Sequence, residues 1–272
     1  MKNFANKVVV VTGAGSGMGR AYALEFAKLG AKLALNDYNA ESLAETVELL
    51  NHQGAKVYME AFDVSDAVAM DRFAANVKNE LGPAHVVINN AGIEGAQKPG
   101  WVISNAEHER IMGINFYGVV NGTRAFMPQL LANDEAALVN VSSVFGLIGT
   151  PNSGDYCASK FAVRGFTESL MVELQESHVN AFCVHPGGIA TNIVRSEEGQ
   201  DFKDRYLTTK PEAIVKYVIK SLGRERVRIV YGQSSFRIWF ASRFVPLRWL
   251  IRILWREMKS ITDLTHYPQK NK

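Results

Sequence analysis

Seven short runs rich in β-branched residues alternate with longer helical stretches, and no other feature of this chain constrains its fold as strongly. The runs fall at residues 8–12, 32–36, 56–60, 85–88, 137–141, 180–184 and 227–230. Helical patterning is read between them at 18–29, 41–51, 67–81, 107–131, 155–177 and 211–222. A parallel pair of strands needs a crossover of a dozen residues or more, usually a right-handed helical one, and this order supplies such crossovers repeatedly. The runs are apolar almost throughout, as expected where helices cover both faces of a sheet. A chain of 272 residues that is 47% hydrophobic can bury one large core, so a single α/β domain is expected.

Composition excludes several classes of function. Cys157 and Cys183 are the only cysteines, too few for a disulfide framework, and no His/Cys/Asp/Glu cluster suggests a metal. That usage suits a reducing cytoplasm. The apolar run from Val8 to Val11 is cut off by Thr12 and Gly13, so it lacks the core of a signal peptide, and no stretch of about 18 apolar residues offers a membrane span. The net charge is +3, yet residues 236–272 carry eight Lys/Arg against Glu257 and Asp263. The body is therefore slightly acidic, which argues against a nucleic-acid-binding surface and leaves the basic tail to be explained.

The first run leads through Thr12-Gly13-Ala14-Gly15-Ser16-Gly17-Met18-Gly19 into an apolar helix. Glycines let the backbone turn tightly against a pyrophosphate, and the helix N-terminus offers unsatisfied N–H donors. The spacing departs from strict GxGxxG, since Met18 takes the last glycine position counted from Gly13, and a purely structural turn would also fit. Asp37, twenty residues after Gly17, closes the second run, where a carboxylate can accept both hydroxyls of an adenosine ribose. A solvated aspartate at a strand end is the plainer alternative. The charge of Asp37 would repel a 2′-phosphate, and Ser16, Tyr38 and Asn39 bring no compensating cation, so NAD is favoured over NADP.

Tyr156-Cys157-Ala158-Ser159-Lys160 places a tyrosine and a lysine at i and i+4 on one helix face. A phenol titrating at about 10 is a poor base, and a nearby ammonium, helped by the positive nicotinamide of an oxidised cofactor, favours its ionised form. Such pairs also occur on ordinary solvated helices. Ser142-Ser143 ends the run at 137–141, at the carboxyl edge of the sheet, where a hydroxyl can donate to a developing alkoxide, although serines also simply end strands. Asn115 interrupts a helical run, where its amide competes with the backbone. The competing readings are a local distortion that holds water for a proton relay to Lys160 and an ordinary polar position.

Together these pieces resemble the short-chain dehydrogenase/reductase family over residues 7–230. The matching motifs are Thr12-Gly13-x-x-x-Gly17-x-Gly19, Asp63-Val64, Asn89-Asn90-Ala91-Gly92, Asn115, Ser143, Tyr156 with Lys160, and Pro186-Gly187. The resemblance implies a Rossmann-like doubly wound parallel sheet of order 3-2-1-4-5-6-7 and a catalytic tetrad of Asn115, Ser143, Tyr156 and Lys160. It selects Ser143 over Ser142. It further implies adenine contacts from Asp63 and Val64, a cofactor site lined by Asn90, Ala91 and Gly92, and nicotinamide or phosphate contacts from Pro186, Gly187, Ile189 and Thr191. The cofactor set is completed by Gly13, Gly15, Ser16, Gly17, Met18, Gly19, Asp37, Tyr156 and Lys160. The activity implied is NAD(H)-dependent interconversion of an alcohol and a ketone. An NADPH-dependent carbonyl or ketoacyl reductase and a non-catalytic NAD(H)-binding sensor are the alternatives, and homodimers or homotetramers are the usual assembly.

A substrate loop is expected over residues 189–209. The small apolar stretch at 144–154, with Phe145, Leu147 and Ile148, favours a hydrophobic alcohol or ketone over a sugar, and core packing explains those residues about as well. Residues 1–232 are expected to form the catalytic domain and 233–272 a helical extension of it, split by Pro246 because a proline inside a helix costs about 3 kcal/mol. In the second piece Arg248, Arg252, Arg256 and Lys259 share a face amid aromatics. This tail is open to three readings: an amphipathic helix peripheral to an anionic membrane, a lid over the substrate cleft, or packing against the body or a second subunit.

Overall fold

The computed structural model describes residues 1–191, 206–224 and 227–268. Its body runs β1 (Val8–Thr12), α1 (Gly17–Lys28), β2 (Lys32–Asp37), α2 (Ala40–Asn51), β3 (Val57–Ala61), α3 (Ala67–Leu81) and β4 (Ala84–Asn89). It continues through α4 (Asn105–Met112), α5 (Gly118–Leu131), β5 (Ala136–Val141), α6 (Gly154–Glu173), β6 (Val179–Pro186), α7 (Pro211–Leu222) and β7 (Arg228–Tyr231). The tail adds α8 (Ser235–Phe244) and α9 (Leu247–Met258). All seven strands are parallel, in the order β3-β2-β1-β4-β5-β6-β7. The chain reverses its direction of winding between β1 and β4, and a crevice opens there beyond the carboxyl ends of the strands.

Alternation along β1 divides the core between the two sheet faces. Val9 and Val11 pack with Tyr22 and Phe26 of α1 and Ile214 and Val218 of α7, while Val8 and Val10 pack with Phe73 of α3 and Phe126 of α5. Phe73 is fully buried among Tyr58, Phe62 and Phe126, so truncating it to alanine would cost about 3–5 kcal/mol. Several helices start where the sequence supplies a cap. Asn39 accepts from the Ser42 N–H at α2, Asp66 from Val68 and Ala69 at α3, and Ser104 forms a reciprocal pair with Glu107 at α4.

The helix expected over 107–131 is instead α4 and α5 joined by a π-helical turn at Gly113–Tyr117, in which the Gly118 N–H reaches back five residues to the Gly113 carbonyl. Asn115 is the residue inside that turn. Pro246 divides the tail as expected, standing immediately before α9. β3 and β7 begin one residue later than the sequence suggests. Most of the expected substrate loop, residues 192–205, lies outside the described residues. Of its ends, Ile189 is bridged to Thr209 and Gly188 to Gln233.

Candidate active site

The glycine-rich turn between β1 and α1 is shaped by close approaches. Gly13 and Gly17 have φ of +67° and +52°, and a β-carbon at Gly13 would sit 2.8 Å from the Ala91 Cα. One at Gly19 would collide with the Gly13 carbonyl. Asn90 locks the same turn from β4, its amide donating to the Thr12 and Gly13 carbonyls at 2.9 and 3.3 Å. α1 has no acidic residue in its own first turn, which leaves the partial positive charge of its N-terminus uncancelled from within the helix. Thr191 comes from the far side, close enough that a β-carbon at Gly17 would lie 3.1 Å from its methyl. A pyrophosphate fits this cradle. At its outer end Asp37 accepts the Gly15 N–H at 2.8 Å and the Asn39 N–H at 2.9 Å, leaving further lone pairs for ribose hydroxyls. The nearby Arg20 is already engaged with Glu45, Thr46 and the Gly15 and Ser42 carbonyls.

The second cluster lies beyond β5. Ser142 is buried, and its hydroxyl donates to the Lys160 carbonyl at 2.8 Å, which ties the strand end to α6. The Ser143 hydroxyl accepts the Phe145 N–H at 3.1 Å and hydrogen-bonds the Tyr156 phenol. The two serines are thus separated by geometry into an anchor and a group aimed at the cleft. Lys160 is 2% exposed; its Nζ donates to the Val141 carbonyl at 3.1 Å and lies 5.7 Å from the Tyr156 ring centroid. Asn115 is fully buried behind this pair. Its Oδ1 accepts the Ile93 N–H at 2.8 Å, and its Nδ2 donates to the Ile93 carbonyl and the Ser159 hydroxyl at 3.1 Å each. The loop through Gly92 threads between Asn115 and Lys160, where a β-carbon would lie 3.2 Å from the Asn115 Oδ1 and 3.3 Å from the Lys160 Nζ.

Burial dominates the electrostatics. It pushes the Tyr156 phenol up to about 12 against the lowering effect of its bond from Ser143, and it pulls the Lys160 ammonium down to about 8. The expected lowering joins the lysine to the positive nicotinamide of an oxidised cofactor, and burial of the phenol acts against it. Desolvation of a densely surrounded hydroxyl outweighs an ammonium that is itself buried and bonded to a carbonyl. Tyr156 is accordingly an acid that holds its proton, and it needs additional positive charge beside it to work as a base.

A cleft of about 1440 Å³ joins the two clusters. Gly13, Ser16, Gly17, Met18, Asp37, Asp63, Val64, Asn90, Ala91 and Gly92 line it, as do Ser143, Tyr156, Lys160, Pro186, Gly187, Ile189 and Thr191. Gly15, Gly19 and Asn115 do not reach its wall; they act through the backbone and the groups they hold. On the substrate side Ile93, Val144, Phe145 and Ile148 of the body and Ile238, Leu250, Leu254 and Met258 of the tail give the wall apolar surface, with Glu94, Arg237 and Glu257 among the charged groups that also line it. Among the described residues no group of His, Cys, Asp and Glu could hold a metal.

The family model described as short chain dehydrogenase matches residues 7–201. The chain belongs to that family. SadH of Mycobacterium tuberculosis is 41% identical to this dehydrogenase over 250 residues, covering 86% of this chain and 89% of SadH. Human epidermal retinol dehydrogenase 2 is 34% identical over 261 residues, covering 91% and 81%. A short chain dehydrogenase/reductase from Burkholderia phymatum, solved in complex with NAD, superposes with a TM-score of 0.80 at 28% identity over the whole of both chains. Like its relatives, this short-chain dehydrogenase is an oxidoreductase acting on CH–OH and C=O groups.

Two features of this dehydrogenase's site escape sequence reasoning. His185 is fully buried at the end of β6, and its Nδ1 meets the Ser143 carbonyl at 2.9 Å, so the proton sits on Nδ1 and the ring fixes the backbone of the candidate serine. Burial holds this imidazole down at about 4. Asp155, also buried, accepts the Ala96 N–H and the Tyr156 N–H at 2.8 Å each, fastening the loop after Gly92 to the start of α6. The tail also lines the cleft, the placement its lid reading anticipates. The position of His185 directly before Pro186-Gly187 and of Asp155 directly before Tyr156 were signals within reach, but their partners are distant backbone atoms.

Proposed function

We propose that this short-chain dehydrogenase interconverts a hydrophobic secondary alcohol and its ketone with NAD(H), using Tyr156 as the acid/base. The observation that carries this reading is one continuous cleft with Asp37 and the glycine cradle at one end, Ser143, Tyr156 and Lys160 in the middle, and an apolar wall at the other. Asp37 is the basis for NAD over NADP. Its carboxylate suits ribose hydroxyls, would repel a 2′-phosphate, and has beside it an arginine already held by other partners. Asp63 and Val64 line the cleft where an adenine would rest, and Ile189 and Thr191 where the nicotinamide end would be held. When bound, the nicotinamide supplies the carbon that accepts or donates the hydride.

The chain's own residues manage the oxygen. In reduction the Tyr156 hydroxyl, kept protonated by burial, gives its proton to the carbonyl oxygen as that oxygen gains charge, and the Ser143 hydroxyl donates a hydrogen bond to the same atom. In oxidation the proton returns to Tyr156. Lys160 has three N–H donors, of which one goes to Val141, so the others can hold cofactor hydroxyls and pass a proton onward. Asn115 fixes the Gly92–Ile93 loop beside Lys160, and the π-helical turn around it supports a water-mediated proton relay.

Residues 1–232 constitute the catalytic domain and 233–272 its extension, of which α8 and α9 wall the substrate side. Exposed Tyr117, Phe161 and Val172 on and beside α5 and α6 support pairing with a second copy through those helices, which a mass measurement in solution checks. The test of the reading is NAD⁺ reduction across secondary alcohols of graded chain length. A rise in kcat/KM with chain length is expected, and no turnover of any alcohol or ketone with either dinucleotide would refute it.

A further inference from the structure

The outer face of the tail is chemically unlike the rest of the surface. α8 buries little of its aromatic content: Phe236, Phe240 and Phe244, at i, i+4 and i+8, are 68%, 49% and 63% exposed along one face. α9 continues the feature with exposed Leu247, Trp249 and Ile251. Monomeric soluble proteins rarely expose apolar side chains in such continuity unless something covers them. Beside these rails runs the arginine stripe. Arg243 lies over Trp239, and Arg248 and Arg252 lie over Trp249, at 5.2–5.5 Å from the rings. No ion pair is formed by Arg243, Arg248, Arg252 or Arg256 among the described residues; the tail's nearest carboxylate, Glu257, faces Arg237 instead.

We propose that α8 and α9 dock this protein on an anionic lipid surface and so set the mouth of the substrate cleft at the bilayer. Charge decides among the possible occupants. A two-fold contact with a second copy would bring the arginine stripe against itself, with only Glu257 to offset it. An anionic bilayer offers headgroups for the arginines and an acyl boundary for the phenylalanines and tryptophan, the arrangement of interfacial helices. No described helix is long and apolar enough to cross a membrane, so the contact is peripheral. The same two helices present their other sides to the cleft through Ile238, Ala241, Leu250, Leu254 and Met258. A hydrophobic alcohol can then pass from lipid into the cleft along an apolar wall. This last step rests on the substrate reading above, whereas docking itself does not.

The experiment is flotation of the full chain with phosphatidylcholine vesicles, with and without phosphatidylglycerol. Flotation is expected only with the anionic vesicles, with release at high salt. Arg248→Gln/Arg252→Gln/Arg256→Gln should weaken the partition on the order of a hundredfold, from about fivefold per arginine near an anionic surface. Phe236→Ser/Phe240→Ser/Phe244→Ser should weaken it at least about tenfold through lost apolar burial. None of these six side chains lines the cleft, so vesicle-free turnover of a short soluble alcohol should match the parent in both variants. Absence of flotation with anionic vesicles, flotation indifferent to both variants, or a concentration-dependent dimer abolished by the phenylalanine variant without any flotation would each overturn the proposal. Turnover without flotation removes the docking and leaves the redox reading; flotation without turnover does the reverse.

Discussion

Replacing Asp37 with serine should invert the dinucleotide preference. The carboxylate sits at the end of β2 with two backbone N–H donors on it and an arginine neighbour whose donors are directed to Glu45, Thr46 and two carbonyls. Two unit charges about 5 Å apart at an effective dielectric of about 20 repel by roughly 3 kcal/mol, and a 2′-phosphate carries more than one charge. Screening at the partly open cleft lowers this, so a penalty of about 2–3 kcal/mol on NADP(H) is reasonable. Removing the carboxylate also deletes charge-assisted bonds to the ribose worth about 1.5–3 kcal/mol in NAD(H) binding. The two effects act in opposite directions on the two dinucleotides. The NADH-to-NADPH ratio of dissociation constants should therefore move by about 10²–10⁴ in Asp37→Ser, read by titration of each reduced dinucleotide into parent and variant. A parent that binds NADPH as tightly as NADH, or a ratio unmoved by the substitution, would refute this account of Asp37.

Other substitutions test the supports around the candidate site. His185→Ala should lower kcat about tenfold with little change in KM, because it frees the Ser143 backbone without touching the cleft; an unchanged kcat would argue against positioning. His185 also predicts a pH effect on stability. Its folded pKa near 4 lies below its ordinary 6.5, so the unfolded chain takes up the proton first, and stability is full above about pH 6.5 and declines as pH falls towards 4. Denaturant titration should show a loss approaching about 3 kcal/mol across that window, flattened in His185→Asn. Asp155→Ala leaves two N–H groups without their acceptor, at about 1–3 kcal/mol each, and should lower the melting temperature and raise the substrate KM while leaving NADH affinity near the parent value. Leu254→Ser, in the tail wall of the cleft, should raise KM for long-chain alcohols and not for short ones, as measured by steady-state kinetics.

The sheet was legible because buried parallel strands announce themselves as apolar runs between helical stretches, and all seven appear within a residue or two of their expected places. The helix around Asn115 was only partly legible. An amide there signals a distortion, but the five-residue reach from Gly118 to Gly113 depends on how α4 and α5 pack, which no local pattern encodes. Pro246 announced the break in the tail through its own backbone chemistry. That the tail would wall the cleft was one of three readings its sequence left open, since a proline gives a break and no direction. The burial of Tyr156, which opposes its ionisation, was not legible, because sequence shows the lysine four residues away and hides the packing around the phenol. His185 and Asp155 were missed for a related reason: each acts on a backbone group that only the folded sheet brings near.

The central claim is that Tyr156 carries the proton of the reaction, and Tyr156→Phe tests it most directly. The substitution removes one oxygen from a side chain whose ring stays in place, so NADH binding should remain close to that of the parent. Turnover of the best alcohol from the chain-length screen should fall by about 10²–10⁴, the usual contribution of a positioned acid/base. A variant that binds NADH normally and turns over at a rate comparable to the parent would contradict the account.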